Sequence, residues 1–106
     1  MAALYGDNYT ANYISVPQSQ AKAGEVGGIK RVLLDQKAGA SAADTIALGK
    51  LPKGARVLEL KSIGAGSGAS FNVTAGAILS AETDLVITVG TGPSATVIAW
   101  AEYVID

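Results

Sequence analysis

Short apolar segments separated by glycine and proline turns follow one another from residue 29 to residue 106, and this pattern restricts the chain to a β fold. Within the segments, apolar and polar residues alternate or β-branched residues cluster, as in strands. No stretch keeps the 3.6-residue period of a three-turn helix. The spacing therefore predicts an all-β domain, a jelly-roll-like antiparallel β-sandwich of roughly five to eight strands.

The predicted strands span residues 29–35, 44–48, 56–63, 69–74, 84–89 and 94–105. Residues 49–54 form a turn, because proline fixes φ and glycine supplies unusual dihedral angles. The strand at 56–63 alternates cleanly, with Leu58 and Leu60 on one face and Glu59 and Lys61 on the other. This alternation predicts a half-buried strand whose two leucines share the core face.

The last predicted strand is apolar on both faces. Such a strand either lies in the centre of a sheet or is covered on one face by another subunit. Trp100, like Phe71, has apolar neighbours in its strand, which favours a core position over a ligand platform. The candidate residues for self-association are Val97, Ala99, Trp100 and Tyr103.

Residues 1–28 differ from the remainder and predict an extended N-terminal arm preceding a β-sandwich domain at 29–106. The segment lacks a sustained period and ends in a glycine-rich linker. Tyrosine is favoured at interfaces because it buries a large area and keeps a hydrogen-bonding tip. The arm tyrosines therefore contact a partner or, alternatively, pack on their own domain. The candidate partner-binding residues are Tyr5, Asn8, Tyr9, Tyr13, Ile14 and Val16.

The chain has no histidine and no cysteine, which removes the usual base of a nucleophilic triad, disulfides and zinc–sulfur sites. Glu82 and Asp84 could approach a hard cation, but a polar turn explains them better. The glycine loop at 64–68 precedes a strand-like segment rather than a helix, which argues against phosphate binding. We therefore expect no enzyme, no cofactor and no metal site.

Charged residues make up only 16% of the chain, against about 25% in a typical domain, so the surface is poor in charge. Such a surface suits a protein that works inside an assembly. Eight basic and nine acidic residues are spread along the chain, which gives no electrostatic footprint for nucleic acid. The sequence shows neither a signal peptide nor an apolar run long enough to span a bilayer, so we expect a soluble protein made in a cytoplasm.

Two stretches carry a resemblance to a known family: the turn and strand at 50–57 (KLPKGARV) and the terminus at 102–106 (EYVID). With the order of arm, glycine-rich linker and β-domain, they resemble the head decoration, or cement, proteins of tailed bacteriophages. The resemblance implies a β-sandwich on the outer surface of the virion capsid, made in the bacterial host cytoplasm. It also implies a homotrimer that binds the major capsid protein and clamps neighbouring subunits. Where such proteins often carry a longer insertion, this chain has only the short loop at 64–68.

A second hypothesis comes from a different class: a jelly-roll module that binds carbohydrate or a receptor as part of a phage fibre. Sugar sites commonly present exposed aromatic rings beside carboxylates and amides. The single tryptophan, in an apolar strand, argues against this alternative.

Overall fold

In a computed structural model, the described residues (2–7, 9, 16–17 and 30–105) form two four-stranded sheets packed face to face, an all-β sandwich. Residues 16 and 17 are described by their backbone alone. The described residues contain no helix. The strands are β1 (Ala3–Tyr5), β2 (Val16–Pro17), β3 (Arg31–Ala38), β4 (Thr45–Leu51), β5 (Ala55–Ile63), β6 (Ser70–Phe71), β7 (Thr83–Thr88) and β8 (Thr96–Ile105).

Sheet A has the strand order β1-β4-β7-β6 and sheet B the order β2-β3-β8-β5. Among the described residues, all strand pairs are antiparallel except one, since β1 runs parallel to β4. Residues 77–79 extend sheet B beyond the first half of β5, through bonds such as Val57 N–H to the Ala77 carbonyl (2.9 Å). Strand β8 pairs with β3 on one side and β5 on the other, so the doubly apolar strand is central in its sheet.

The core lies between the sheets and is built by alternation along the strands. In β8 every second residue is buried, while the intervening residues are partly exposed. Leu33 of β3 crosses to sheet A, where a Cβ added to Gly49 of β4 would lie 2.8 Å from its Cδ1. Glycine at this position therefore lets the two sheets approach closely. The largest fully buried side chains include Tyr103, Leu33, Ile46, Leu48, Leu51, Leu85, Ile87, Val57 and Val97.

Strand β5 departs from the predicted alternation. A β-bulge between Val57 and Glu59 inserts one extra residue into the pairing with β8. Val57 is buried, Leu58 is exposed and Leu60 packs partly against the core. The prediction that Leu58 and Leu60 share the core face was wrong, because a bulge shifts the alternation of side chains by one residue.

The N-terminal segment is tied into the sandwich along its described residues. Strand β1 pairs with β4 of sheet A, and the Asp7 N–H then donates to the Gln36 carbonyl of sheet B at 2.8 Å. Between them lies buried Gly6, where an added Cβ would collide with the carboxylate of Asp35. Residues 2–7 therefore contact both sheets and close one side of the sandwich. They do not form a free arm.

Asp44 anchors the start of this segment. One of its carboxylate oxygens accepts a hydrogen bond from the Ala2 N–H, and the other from the Ser41 N–H, both at 2.9 Å. Both backbone donors lower the pKa of Asp44 below its usual value, since they stabilise the charged form, and the Ser41 N–H has the larger effect. The carboxylate thus fastens β1 to the turn that precedes β4.

Candidate functional site

The two outer faces of the sandwich differ in chemistry, and each is a candidate interaction surface. We call the outer face of sheet B the apolar face, defined by Leu34, Ile98, Trp100 and Ile63. Leu34 lies opposite Trp100, and Ile98 lies opposite Ile63, so the four form adjacent cross-strand pairs. Leu34 is 52% exposed and Ile63 is 57% exposed, while Ile98 and Trp100 are partly exposed. Neighbouring apolar side chains on a surface favour contact with another protein.

Two ion pairs lie on or next to the strands that carry the apolar face. Lys61 Nζ is 3.3 Å from Glu59 Oε1, and Lys30 Nζ is 3.6 Å from Glu102 Oε1. Exposed pairs of this kind stabilise a fold little. Their effect here is to balance positive and negative charge around the apolar residues, so this face carries no strong charge of one sign.

The outer face of sheet A carries the second surface, the tyrosine face, defined by Tyr5, Tyr9, Lys50, Glu82 and Asp84. The rings of Tyr5 and Tyr9 are 4.8 Å apart between centroids and tilted by 53°. The Tyr9 hydroxyl donates to Asp84 Oδ1 at 3.1 Å, and Lys50 Nζ donates to the same oxygen at 3.0 Å. Glu82 Oε1 lies 3.8 Å from the lysine nitrogen. An aromatic pair and an ionic cluster thus adjoin.

Contacts within this cluster stabilise the protonated forms of Tyr9 and Lys50. Partial burial, followed by the hydrogen bond and charge of Asp84, raises the pKa of Tyr9. The hydrogen bond to Asp84 raises the pKa of Lys50, because the carboxylate favours the ammonium form. Lys50 is therefore a cation and Tyr9 a neutral hydrogen-bond donor at neutral pH.

Asn72 fixes the strand that carries Asp84. Its side-chain nitrogen donates to the Asp84 carbonyl at 2.7 Å, and its side-chain oxygen accepts from the Val86 N–H at 2.9 Å. The amide side chain thereby bonds the β7 backbone on both sides of Leu85. These bonds hold this part of β7 in place beneath the tyrosine face.

The structure places the predicted partner-binding residues unevenly. Tyr5 and Tyr9 lie together on the tyrosine face, and the backbone of Val16 pairs with Val32 of β3. Asn8, Tyr13 and Ile14 lie outside the described residues. That Tyr5 and Tyr9 contact a partner stays a prediction, but they are attached to the sandwich.

Three of the four predicted self-association residues lie inside the protein. Val97, Ala99 and Tyr103 are 0–1% exposed and face the core, so they cannot contact another subunit in this fold. Trp100 points the other way and belongs to the apolar face, which corrects its assignment to the core. Phe71 packs, partly buried, against the core. Because both faces of β8 are apolar, the sequence alone did not distinguish inward from outward positions.

Sequence reasoning did not select Leu34, Ile63 or Lys50 as site residues. In the strands that carry Leu34 and Ile63, pairing with distant strands decides which alternate residues face the core. Glu82 and Asp84 carried a usable hint, since residues two apart in an extended segment lie on one side, and here both carboxylates contact Lys50.

Across the described residues, no group of three or more histidine, cysteine or acidic side chains is arranged to hold a metal ion. Nor does any helix in that part of the chain have the length and apolar character needed to cross a membrane. No protein-family model, curated protein or solved structure matches this chain.

Proposed function

We propose that this protein is a head decoration protein of a tailed bacteriophage, which binds the outer surface of the capsid and stabilises contacts between major capsid subunits. The observation that carries the proposal is the apolar face, with Leu34 and Ile63 more than half exposed on neighbouring parts of one sheet. A surface of this kind gains free energy when a neighbouring protein covers it. The resemblance of residues 50–57 and 102–106 to decoration proteins supplies the identity of that neighbour.

The architecture suits a cementing role. Binding loses affinity when flexible groups must be ordered, so a surface on paired strands contacts its partner at low entropic cost. The apolar face lies on β3, β8 and β5, which are joined by continuous pairing. The described N-terminal residues contact both sheets and so add to this rigidity. No reaction is needed for such a protein to act.

The proposal extends to assembly and location. In it, the protein forms a homotrimer, and its partner is the major capsid protein on the outside of the virion. The jelly-roll connectivity predicted for the sandwich belongs to the same proposal. The same contact with the capsid is then repeated at many equivalent positions, so that many modest contacts together stabilise the whole shell.

Co-sedimentation with capsid shells prepared without this protein tests the proposal. Leu34→Lys and Ile63→Lys, alone and combined, place a cation on the apolar face at positions that are already exposed. We expect the double variant to stay in the supernatant while the wild-type protein pellets with shells. Thr88→Lys, an exposed change on the outer face of sheet A, is the matched control and should pellet normally.

Two results would contradict the proposal. The first is wild-type protein that does not bind the shells of the phage that encodes it. The second is equal binding by the double variant and by Thr88→Lys, since the apolar face would then play no part. Circular dichroism of each variant establishes that a loss of binding is not a loss of folding.

A further inference from the structure

The tyrosine face presents an exposed aromatic ring beside charged hydrogen-bonding groups, a combination distinct from the apolar face. Tyr5 is 60% exposed, and the adjoining side chains of Lys50, Asp84 and Glu82 keep 24%, 36% and 47% of their surface in solvent. We propose that this face binds a neutral carbohydrate chain. In this site, Tyr5 is the stacking platform and the three charged groups bind sugar hydroxyls.

The aromatic part of the site is held in position before any ligand arrives. Tyr5 is carried by a paired strand, and its ring contacts that of Tyr9 at 4.8 Å between centroids. Tyr9 is itself fixed by its hydrogen bond to Asp84. A ring that is already ordered loses little conformational entropy on binding. The weakly polar C–H face of a pyranose ring can therefore cover the exposed surface of Tyr5.

The polar part of the site matches the chemistry of hydroxyl groups. Each sugar hydroxyl both donates and accepts a hydrogen bond, so it is best satisfied by an acceptor and a donor placed side by side. Asp84 and Glu82 supply carboxylate oxygens, and Lys50 supplies N–H donors 3.0 and 3.8 Å from them. Hydrogen bonds that involve a charged group are also stronger than those between neutral groups.

The charge of the cluster selects among carbohydrates. One lysine faces two carboxylates, which leaves a net charge of −1 in this cluster. An acidic sugar or a phosphorylated one would meet repulsion from Asp84 and Glu82. Neutral hexoses and N-acetylhexosamines meet none. The site is thus predicted to prefer neutral glycans over sialylated or phosphorylated ones.

The tyrosine face and the apolar face belong to different sheets and lie on opposite sides of the sandwich. A protein that used the apolar face on a capsid would therefore turn the tyrosine face toward the surroundings. Carbohydrate binding does not depend on that arrangement, because the residues involved are complete within one chain. The two functions can be tested, and can fail, separately.

A glycan array probed with the purified protein is the first experiment, followed by titration calorimetry with free glucose, galactose and N-acetylglucosamine oligomers that score on it. We expect neutral glycans to bind and Tyr5→Ala to weaken the binding about tenfold or more, because the stacking surface is lost. Tyr5→Phe should keep the affinity within about threefold, since the ring remains. Ile63→Lys, on the opposite face, serves as the control and should bind like the wild-type protein.

Three outcomes would overturn the proposal: no neutral glycan bound at millimolar concentration, binding confined to acidic glycans, or equal affinity in Tyr5→Ala. Saturation-transfer NMR with the free sugar adds an independent readout. Tyr5→Ala should reduce the transfer to the ring protons of the sugar, whereas Ile63→Lys should not. A thermal melt of Tyr5→Ala, measured alongside, separates loss of the platform from loss of the fold.

Discussion

Tyr9 and Asp84 are joined by a hydrogen bond of 3.1 Å although 75 positions separate them in the chain. The bond connects the N-terminal segment to strand β7 in the centre of sheet A. It also places the phenol ring of Tyr9 against that of Tyr5. One contact therefore fastens the N-terminus and shapes the tyrosine face.

Tyr9→Phe tests this bond, because it removes the hydroxyl and keeps the ring. We expect the free energy of unfolding to fall by about 1 kcal/mol, the typical net value of a hydrogen bond to a partly buried group. Urea denaturation measures the change. Tyr5→Phe is the matched control, and its hydroxyl, on a mostly exposed side chain, should contribute much less. Equal losses in the two variants would show that the Asp84 contact adds nothing to stability.

The lowered pKa of Asp44 predicts how the stability of the protein depends on pH. Its pKa is lowered in the folded protein, so the folded state holds its proton less tightly than the unfolded state. The stabilisation is complete above the unfolded pKa of about 4 and is lost as pH falls through the lower folded value. Melting temperatures between pH 6 and pH 2 should therefore fall less steeply for Asp44→Asn than for wild type. Parallel curves would contradict the assignment.

Leu33 and Leu34 are neighbours in β3 with opposite surroundings, which makes them a matched pair. Leu33 is fully buried between the sheets and Leu34 is 52% exposed on the apolar face. Leu33→Ala should cost about 3 kcal/mol of unfolding free energy, because it leaves a cavity. Leu34→Ala should cost less than about 1 kcal/mol. Chemical denaturation distinguishes the two, and similar costs would mean that the register of β3 is wrong.

Gly90 is required by close packing rather than by its backbone angles. A Cβ at this position would overlap the carbonyl oxygen of Ser67, in the loop that Gly90 bonds through the Ala65 carbonyl. Gly90→Ala should therefore cost about 3 kcal/mol, since only backbone can move to relieve the overlap.

The control for this prediction is Gly92→Ala. Gly92 has a φ of +71° and open space around it, so alanine there meets only the backbone penalty of about 1 kcal/mol. Thermal or urea denaturation compares the two variants. If Gly92→Ala were the more damaging change, the packing of the two loops would differ from that described.

Much of the sandwich could be predicted because the alternation of apolar and polar residues can be read within each short segment of the sequence. The strands expected at 84–89 and 94–105 match β7 and β8 to within two residues, and the turn before β5 lies where Pro52 and Gly54 indicate. The strand expected at 69–74 was too long, since β6 has two residues. There Asn72 bonds β7 through its side chain as well as its backbone.

The remaining features depend on contacts that the local sequence does not record. Nothing near Tyr5 indicates that a three-residue strand will pair in parallel with β4, 42 positions later. The bulge beside Leu58 arises from its pairing with β8. Because both faces of β8 are apolar, the sequence does not show which of its residues face the core. For this reason Trp100 and Tyr103 are predicted together as self-association residues.

The parallel pairing of β1 joins residues that lie far apart in the chain. Ala3 of β1 pairs with Thr45 of β4, and the Asp7 N–H donates to the Gln36 carbonyl, so both contacts join distant parts of the chain. Contacts between distant parts of a chain form slowly, because a long loop must close before they contribute. The pairing of β1 with β4 is thus expected to form later than contacts between residues that are close in the chain. Until β1 pairs, the side of the sandwich that residues 2–7 close remains open.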